Sequence, residues 1–213
     1  MRKTEQRSTC EECFEAETLE LMDTRLPEPE MLEFYRRLRV REIVWNDLIG
    51  DGLIEVPMYI LKWNREDRGK PVEERVPIKI FINSDGGNVN ATLFTAEVIA
   101  KSKTPVITIG MGRAYSSGGL LLMAGQKRYV FDTTLVLIHD GSGGAVGDTG
   151  KVLDNLEFTK ELERRVCKFV LEHTQIPKKL LERNYRKDWF LFSEDVIRYG
   201  IADAVITDLD EIL

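Results

Sequence analysis

The chain has 213 residues, enough for one domain with an appendage, and carries 30 basic against 36 acidic residues, a net charge of −6. An acidic surface argues against nucleic acid or an anionic membrane as main partner. No run approaches the roughly 18 consecutive apolar residues of a membrane span. Residues 1–6 are polar where a secretory signal would be apolar, so we expect a cytoplasmic protein.

Three cysteines are too few for a disulfide framework. Cys10 and Cys13 form one C-x-x-C, but a structural zinc wants a second pair or nearby histidines, and the only histidines are His139 and His173. We expect two reduced thiols there, no metal and no cofactor. Cys167 lies on an apolar helical stripe and is expected in the core.

Residues 1–27 are acidic and weakly periodic, and with a short helix over 30–38 they form an expected N-terminal arm of residues 1–40 ahead of a domain of residues 41–213. Residues 41–46 read as a strand. Residues 48–63 are apolar and mostly helical, with Pro57 in a first turn or at a kink. Residues 64–76 are charged and loop-like. Strand 77–82, turn 83–88, helix 91–101 and strand 105–111 follow. A tight loop over 112–117, a small-residue helix over 117–124 and strands over 128–131 and 135–139 come next. Alternation at this spacing implies right-handed crossovers and a largely parallel, buried sheet.

Residues 148–173 predict one long helix, with Val152, Leu156, Leu162, Val166, Phe169 and Val170 at helical spacing. It is longer than a small core needs, so part of its apolar face is expected to meet another subunit. A short helix over 178–184 follows. Ser193 is the expected N-cap of a helix ending at Gly200, and 204–206 is a last strand.

Nucleophilic attack on a carbonyl needs a hydroxyl or thiol, a base, an orienting acid and an oxyanion hole. His139 ends a buried strand ahead of a glycine-rich loop, where sites of parallel sheets gather. His173, at a helix end, suits a role complementing the helix dipole. Ser116 lies among glycines at a strand-to-helix turn, where an exposed hydroxyl and free N–H groups coincide. The Gly86-Gly87 turn is a second source of backbone donors. On spacing alone Asp140, Asp148 and Asp188 all remain open as the acid.

Four motifs in order then resemble the Clp protease proteolytic subunit. They are Ile82-Asn83-Ser84-Asp85-Gly86-Gly87, Gly112-Arg113-Ala114-Tyr115-Ser116-Ser117-Gly118, Ile138-His139, and Lys187-Asp188-Trp189-Phe190-Leu191 ahead of Tyr199-Gly200-Ile201-Ala202-Asp203. The resemblance covers about residues 76–209. It implies an α/β, crotonase-like fold of β-β-α superhelical repeats with a protruding helical handle over about 148–175. It implies a serine endopeptidase that hydrolyses unfolded polypeptide inside an oligomeric chamber. Ser116 would be the nucleophile, His139 the general base and Asp188 the orienting acid, with the N–H groups of Gly87 and Ser117 as oxyanion hole.

The family also implies a homo-oligomer of stacked heptameric rings and an AAA+ unfoldase as partner, although residues 1–40 do not resemble its axial loop. Asp85 stands where the family has proline, Ser117 where it has methionine and Asp140 where it has glutamine. We expect Asp85 to face outward from its turn. Ser117 is an alternative nucleophile and Asp140 an alternative acid. A catalytically silent assembly subunit and a crotonase-type acyl-CoA enzyme are the competing readings.

Overall fold

A computed structural model describes residues 28–213. The expected arm over 1–27, with Cys10 and Cys13, lies outside these residues. The chain divides into a unit ending at Arg39 and a second unit, Val40–Leu213. The described part of the first is a helix, α1 (Pro29–Arg39), with an acidic first turn and a basic last turn that complement the helix dipole. Its Phe34 and Tyr35 rings meet edge to face at 5.7 Å.

The second unit is built on a seven-stranded sheet. Strands β1 (Glu42–Trp45), β2 (Ile78–Ser84), β3 (Val106–Tyr115), β4 (Lys127–Val130) and β7 (Ala204–Val205) lie side by side in that order, all parallel. The crossovers carry α2 (Glu55–Glu66), α3 (Val89–Lys101) and α4 (Ser117–Met123). Burial in β2 alternates residue by residue, as the pleat demands, and Ile78, Ile80 and Ile82 are fully buried. Every residue of α4 is buried, so this short helix is core on all sides.

Strand β3 is longer than its apolar run suggests. Instead of a tight loop over 112–117, the strand continues to Tyr115, with Gly112 at φ +65° and a register irregularity against β2 between Ile82 and Ser84. The first half pairs with β4 and the second with β5 (Leu135–Ile138), so one strand serves two neighbours. A glycine at positive φ is what lets the strand bend there without breaking. On β5 lies the antiparallel β6 (Trp189–Leu191). This places the residues after Ile138 beside those before Trp189.

Helix α5 (Thr149–His173) follows a glycine-rich loop, and α6 (Lys178–Asn184) and α7 (Ser193–Arg198) complete the fold. Pro57 sits in the first turn of α2, where its missing N–H costs no helical bond. Ser193 is the first residue of α7 rather than its N-cap, which is Phe192. The Ser193 side chain is buried and donates instead to Asp132 Oδ1 at 2.9 Å. Cys167 is half-buried rather than in the core.

One buried ionic cluster ties the start of β1 to the end of α2. Arg41, at φ +62°, donates to Asp67 Oδ1 at 3.0 Å and to the Val76 carbonyl at 3.0 Å. Thr104 and Lys70 add 3.0 Å and 3.1 Å bonds to the same carboxylate. Arg41 holds the Asp67 carboxyl well below the ordinary carboxylate range, against the opposing effect of burial. No helix among the described residues is long and apolar enough to cross a membrane.

Candidate functional site

Ser116 occupies the one-residue junction between β3 and α4, with φ +53° and ψ −121°. A side chain at positive φ is strained, and such strain collects at functional sites. The junction is pinned from below, because Ser116 N–H donates to the Leu137 carbonyl at 2.8 Å. Gly118 and Gly119 allow the tight approach: a Cβ on Gly118 would lie 3.0 Å from the Ser84 carbonyl, and one on Gly119 3.0 Å from the Ala114 carbonyl. Among the described residues no hydrogen bond holds the Ser116 hydroxyl. It lines a cavity of about 400 Å³.

The Gly86-Gly87 turn lines the same cavity. Both glycines have positive φ, +97° and +141°. A Cβ on Gly86 would stand 2.7 Å from Ser116 Cβ, so this turn lies directly against the serine. Ser84 Oγ accepts from the Gly86 N–H at 3.1 Å and donates to the Asp47 carbonyl at 2.6 Å. Ile49 brackets the turn, donating to the Gly86 carbonyl at 2.7 Å and accepting from Asn88 N–H at 2.6 Å. The N–H groups of Gly87 and Ser117 enter none of the inter-element backbone bonds of the described residues. Two unpaired donors beside a free hydroxyl can bind a developing oxyanion.

Ser117 itself is buried, and its hydroxyl donates to the Gly87 carbonyl at 2.9 Å. That bond joins the two donor-bearing segments. It also leaves Ser117 Oγ less available than Ser116 Oγ for attack.

His139 follows β5, half-buried, on the cavity wall. Its Nδ1 lies 3.3 Å from Asp188 Oδ1. The β5–β6 pairing explains the approach of two residues so distant in sequence: Ile138 is opposite Trp189, one residue inside each of them. With Nδ1 facing the carboxylate, Nε2 is the ring nitrogen left to exchange a proton. Asp188 is largely exposed, its side chain 67% accessible. Asp140 forms no ion pair among the described residues. Asp148 holds the N-cap position of α5 without a side-chain capping bond, and its carboxylate faces Lys151 at 3.9 Å. His173 is the last residue of α5, ahead of the C-cap Thr174, and is stacked on Phe169 with its Nδ1 2.8 Å from that residue's carbonyl oxygen.

Sequence reasoning missed the charge arrangement around the Gly86-Gly87 turn. Asp85, expected to face outward, is half exposed on the cavity rim, and Arg113 meets its carboxylate at 2.9 Å. Arg113 N–H in turn donates to Asn83 Oδ1 at 3.1 Å. It also missed Tyr185, a buried cavity residue beside the Cys167 thiol. Burial first, and then the neighbouring thiol and carboxylates, push the Tyr185 phenol above its ordinary value.

A parallel sheet of stacked crossovers brings a strained serine, free backbone donors and an imidazole–carboxylate pair to one cavity, a set of groups compatible with a hydrolase of the serine type. The comparison with known proteins makes the class specific. Residues 69–208 match the family model described as Clp protease. The chain is also 33% identical over 147 residues to the ATP-dependent Clp protease proteolytic subunit of Deinococcus radiodurans, covering 68% of this chain and 71% of that protein. The chain belongs to the Clp protease family, as a divergent member with the fold of that family, and it is a serine-type peptidase.

Proposed function

We propose that the protein is an endopeptidase in which Ser116 is the nucleophile, His139 the general base and Asp188 the acid that orients the imidazole. The observation that carries this reading is the free Ser116 hydroxyl on the cavity that also holds His139, whose Nδ1 lies 3.3 Å from Asp188. In the proposed reaction Ser116 Oγ adds to the peptide carbonyl carbon as His139 Nε2 takes its proton. The carbonyl oxygen becomes an oxyanion held by Gly87 and Ser117 N–H. Collapse breaks the C–N bond, and the imidazolium returns the proton to the leaving amine. Water then attacks the acyl-serine by the same route, releasing the acid and restoring the hydroxyl. The Asp188 carboxylate stabilises the imidazolium in both halves.

The substrate class is unfolded polypeptide, degraded inside stacked homo-oligomeric rings. Exposed apolar side chains on α5, Leu153, Leu156 and Phe158, support an assembly through this helix. The relative is ATP-dependent by name, and an AAA+ unfoldase belongs to the same proposal.

A fluorophosphonate probe tests the nucleophile. Ser116 should carry the label, Ser116→Ala should abolish it, and Ser117→Ala should retain it. Label on Ser117, with Ser116→Ala still active, overturns the assignment.

A further inference from the structure

The cavity at Ser116 continues to α5, which contributes Thr159, Leu162, Glu163, Val166 and Val170 at helical spacing. Leu120 and Met123 of α4 line it as well, so most of the wall is apolar. Two carboxylates interrupt this surface, Asp85 and Glu163, and no lysine or arginine lines it. Their situations differ. Asp85 is answered by Arg113 at 2.9 Å. Glu163 is half-buried and has no ion-pair or hydrogen-bond partner among the described residues. The adjacent arginines do not serve it, since Arg164 and Arg165 both clamp Glu161, at 2.8 Å and 2.9 Å. The Tyr185 ring lines the same cavity, and no hydrogen bond joins it to Glu163 among the described residues.

An unanswered, half-buried carboxylate in a mostly apolar wall is complementary to a ligand that brings a cation. The complementary group has an alkyl stem to cover apolar surface and a positive charge at its tip, which describes lysine and arginine side chains. We propose that Glu163 is a specificity-determining residue, and that the cavity receives a lysine or arginine side chain from the substrate residue whose carbonyl Ser116 attacks. The proposal rests on the peptidase reading above and names the substrate class of that same site.

The test uses the full-length protein and paired fluorogenic peptides that differ only in the residue before the scissile bond, lysine against norleucine and arginine against citrulline. The expected preference in kcat/KM is about tenfold for the cationic member, the scale of one partly screened charge pair. Glu163→Gln should bring the ratio close to one, and Glu163→Lys should carry it below one. A wild-type ratio at or below one overturns the proposal, as does a ratio that Glu163→Gln leaves in place. Binding separates this from the peptidase reading. Ser116→Ala protein should bind a peptide ending in lysine more tightly than one ending in norleucine, read by calorimetry. Selective binding without turnover by the wild type sinks the peptidase reading and keeps the pocket. Turnover without selectivity sinks the pocket alone, and neither turnover nor selective binding sinks both.

Discussion

The Arg113 guanidinium holds the Asp85 carboxylate at 2.9 Å, on the rim of the cavity that contains Ser116. This pair answers a physical problem. If the Gly86-Gly87 turn supplies an oxyanion donor, as proposed, a carboxylate in it would oppose the charge that develops there, and a fixed guanidinium cancels most of that field. Both side chains are about half exposed, so water already screens the pair.

Arg113→Ala should therefore lower kcat on peptide substrates about two- to fivefold, within the ~1 kcal/mol scale of exposed pairs. Adding Asp85→Asn to that variant should restore the lost rate, because the opposing charge goes with it. Steady-state kinetics of the two variants check this. A double variant no faster than Arg113→Ala would show that Arg113 acts by another route.

The two turn glycines give a sharper expectation. A Cβ on Gly87 would fall 2.1 Å from the Ile49 carbonyl oxygen, at φ +141°, so the backbone must shift. Gly87→Ala should cost about 2–3 kcal/mol of stability as well as activity. A Cβ on Gly86 would press on Ser116 Cβ and the Tyr115 carbonyl, both at 2.7 Å. Gly86→Ala should cut kcat by about 100-fold, the usual consequence of moving a reacting group by an ångström. Thermal unfolding and kinetics together separate the two effects. An active Gly86→Ala variant would mean that the turn does not set the serine.

Much of this was legible in the chain. Alternating strands and helices of regular length imply the parallel sheet, and four ordered motifs point to the family. Local rules failed where tertiary contacts overrode them. Ser193 is a good N-cap residue by type, but Asp132, 61 residues away, takes its hydroxyl. The glycines around residue 112 read as a loop, yet hydrogen-bonding partners on β2 and β5 keep the segment extended through Tyr115. Charge pairs such as Asp85–Arg113 and Arg41–Asp67 join residues 28 and 26 positions apart, and neither periodicity nor motif spacing records them.

The Arg41–Asp67 pair predicts how stability depends on pH. The Asp67 carboxyl titrates well below its ordinary value in the folded chain, chiefly because Arg41 donates to it. A depressed pKa means that the charged form stabilises the fold above the unfolded value, near 3.9, and that this contribution is lost as pH falls toward the folded value. Asp67→Asn leaves Arg41 buried without its counter-charge and should cost about 3–5 kcal/mol at neutral pH. Denaturant unfolding should show that deficit shrinking as pH drops below about 4. A deficit of constant size across that range would assign it to packing.

Helix α5 carries the last expectation. Leu153 and Phe158 are 55% and 59% exposed, far more than a helix buried against its own core would leave, and only Val166 and Val170 of α5 are buried. Covering a leucine or phenylalanine contributes about 1.5–3 kcal/mol, so a few such side chains hold subunits together when copies meet. If α5 is the contact between rings, the wild-type protein should sediment as a species many times heavier than its 24.5 kDa chain. Leu156→Asp, which puts a charge into that contact, should shift the distribution toward smaller species. Circular dichroism of the variant should match the wild type, because Leu156 is exposed within its own chain. Sedimentation unchanged by the substitution would remove α5 from the assembly, and a wild-type protein that stays monomeric at micromolar concentration would remove the chamber itself.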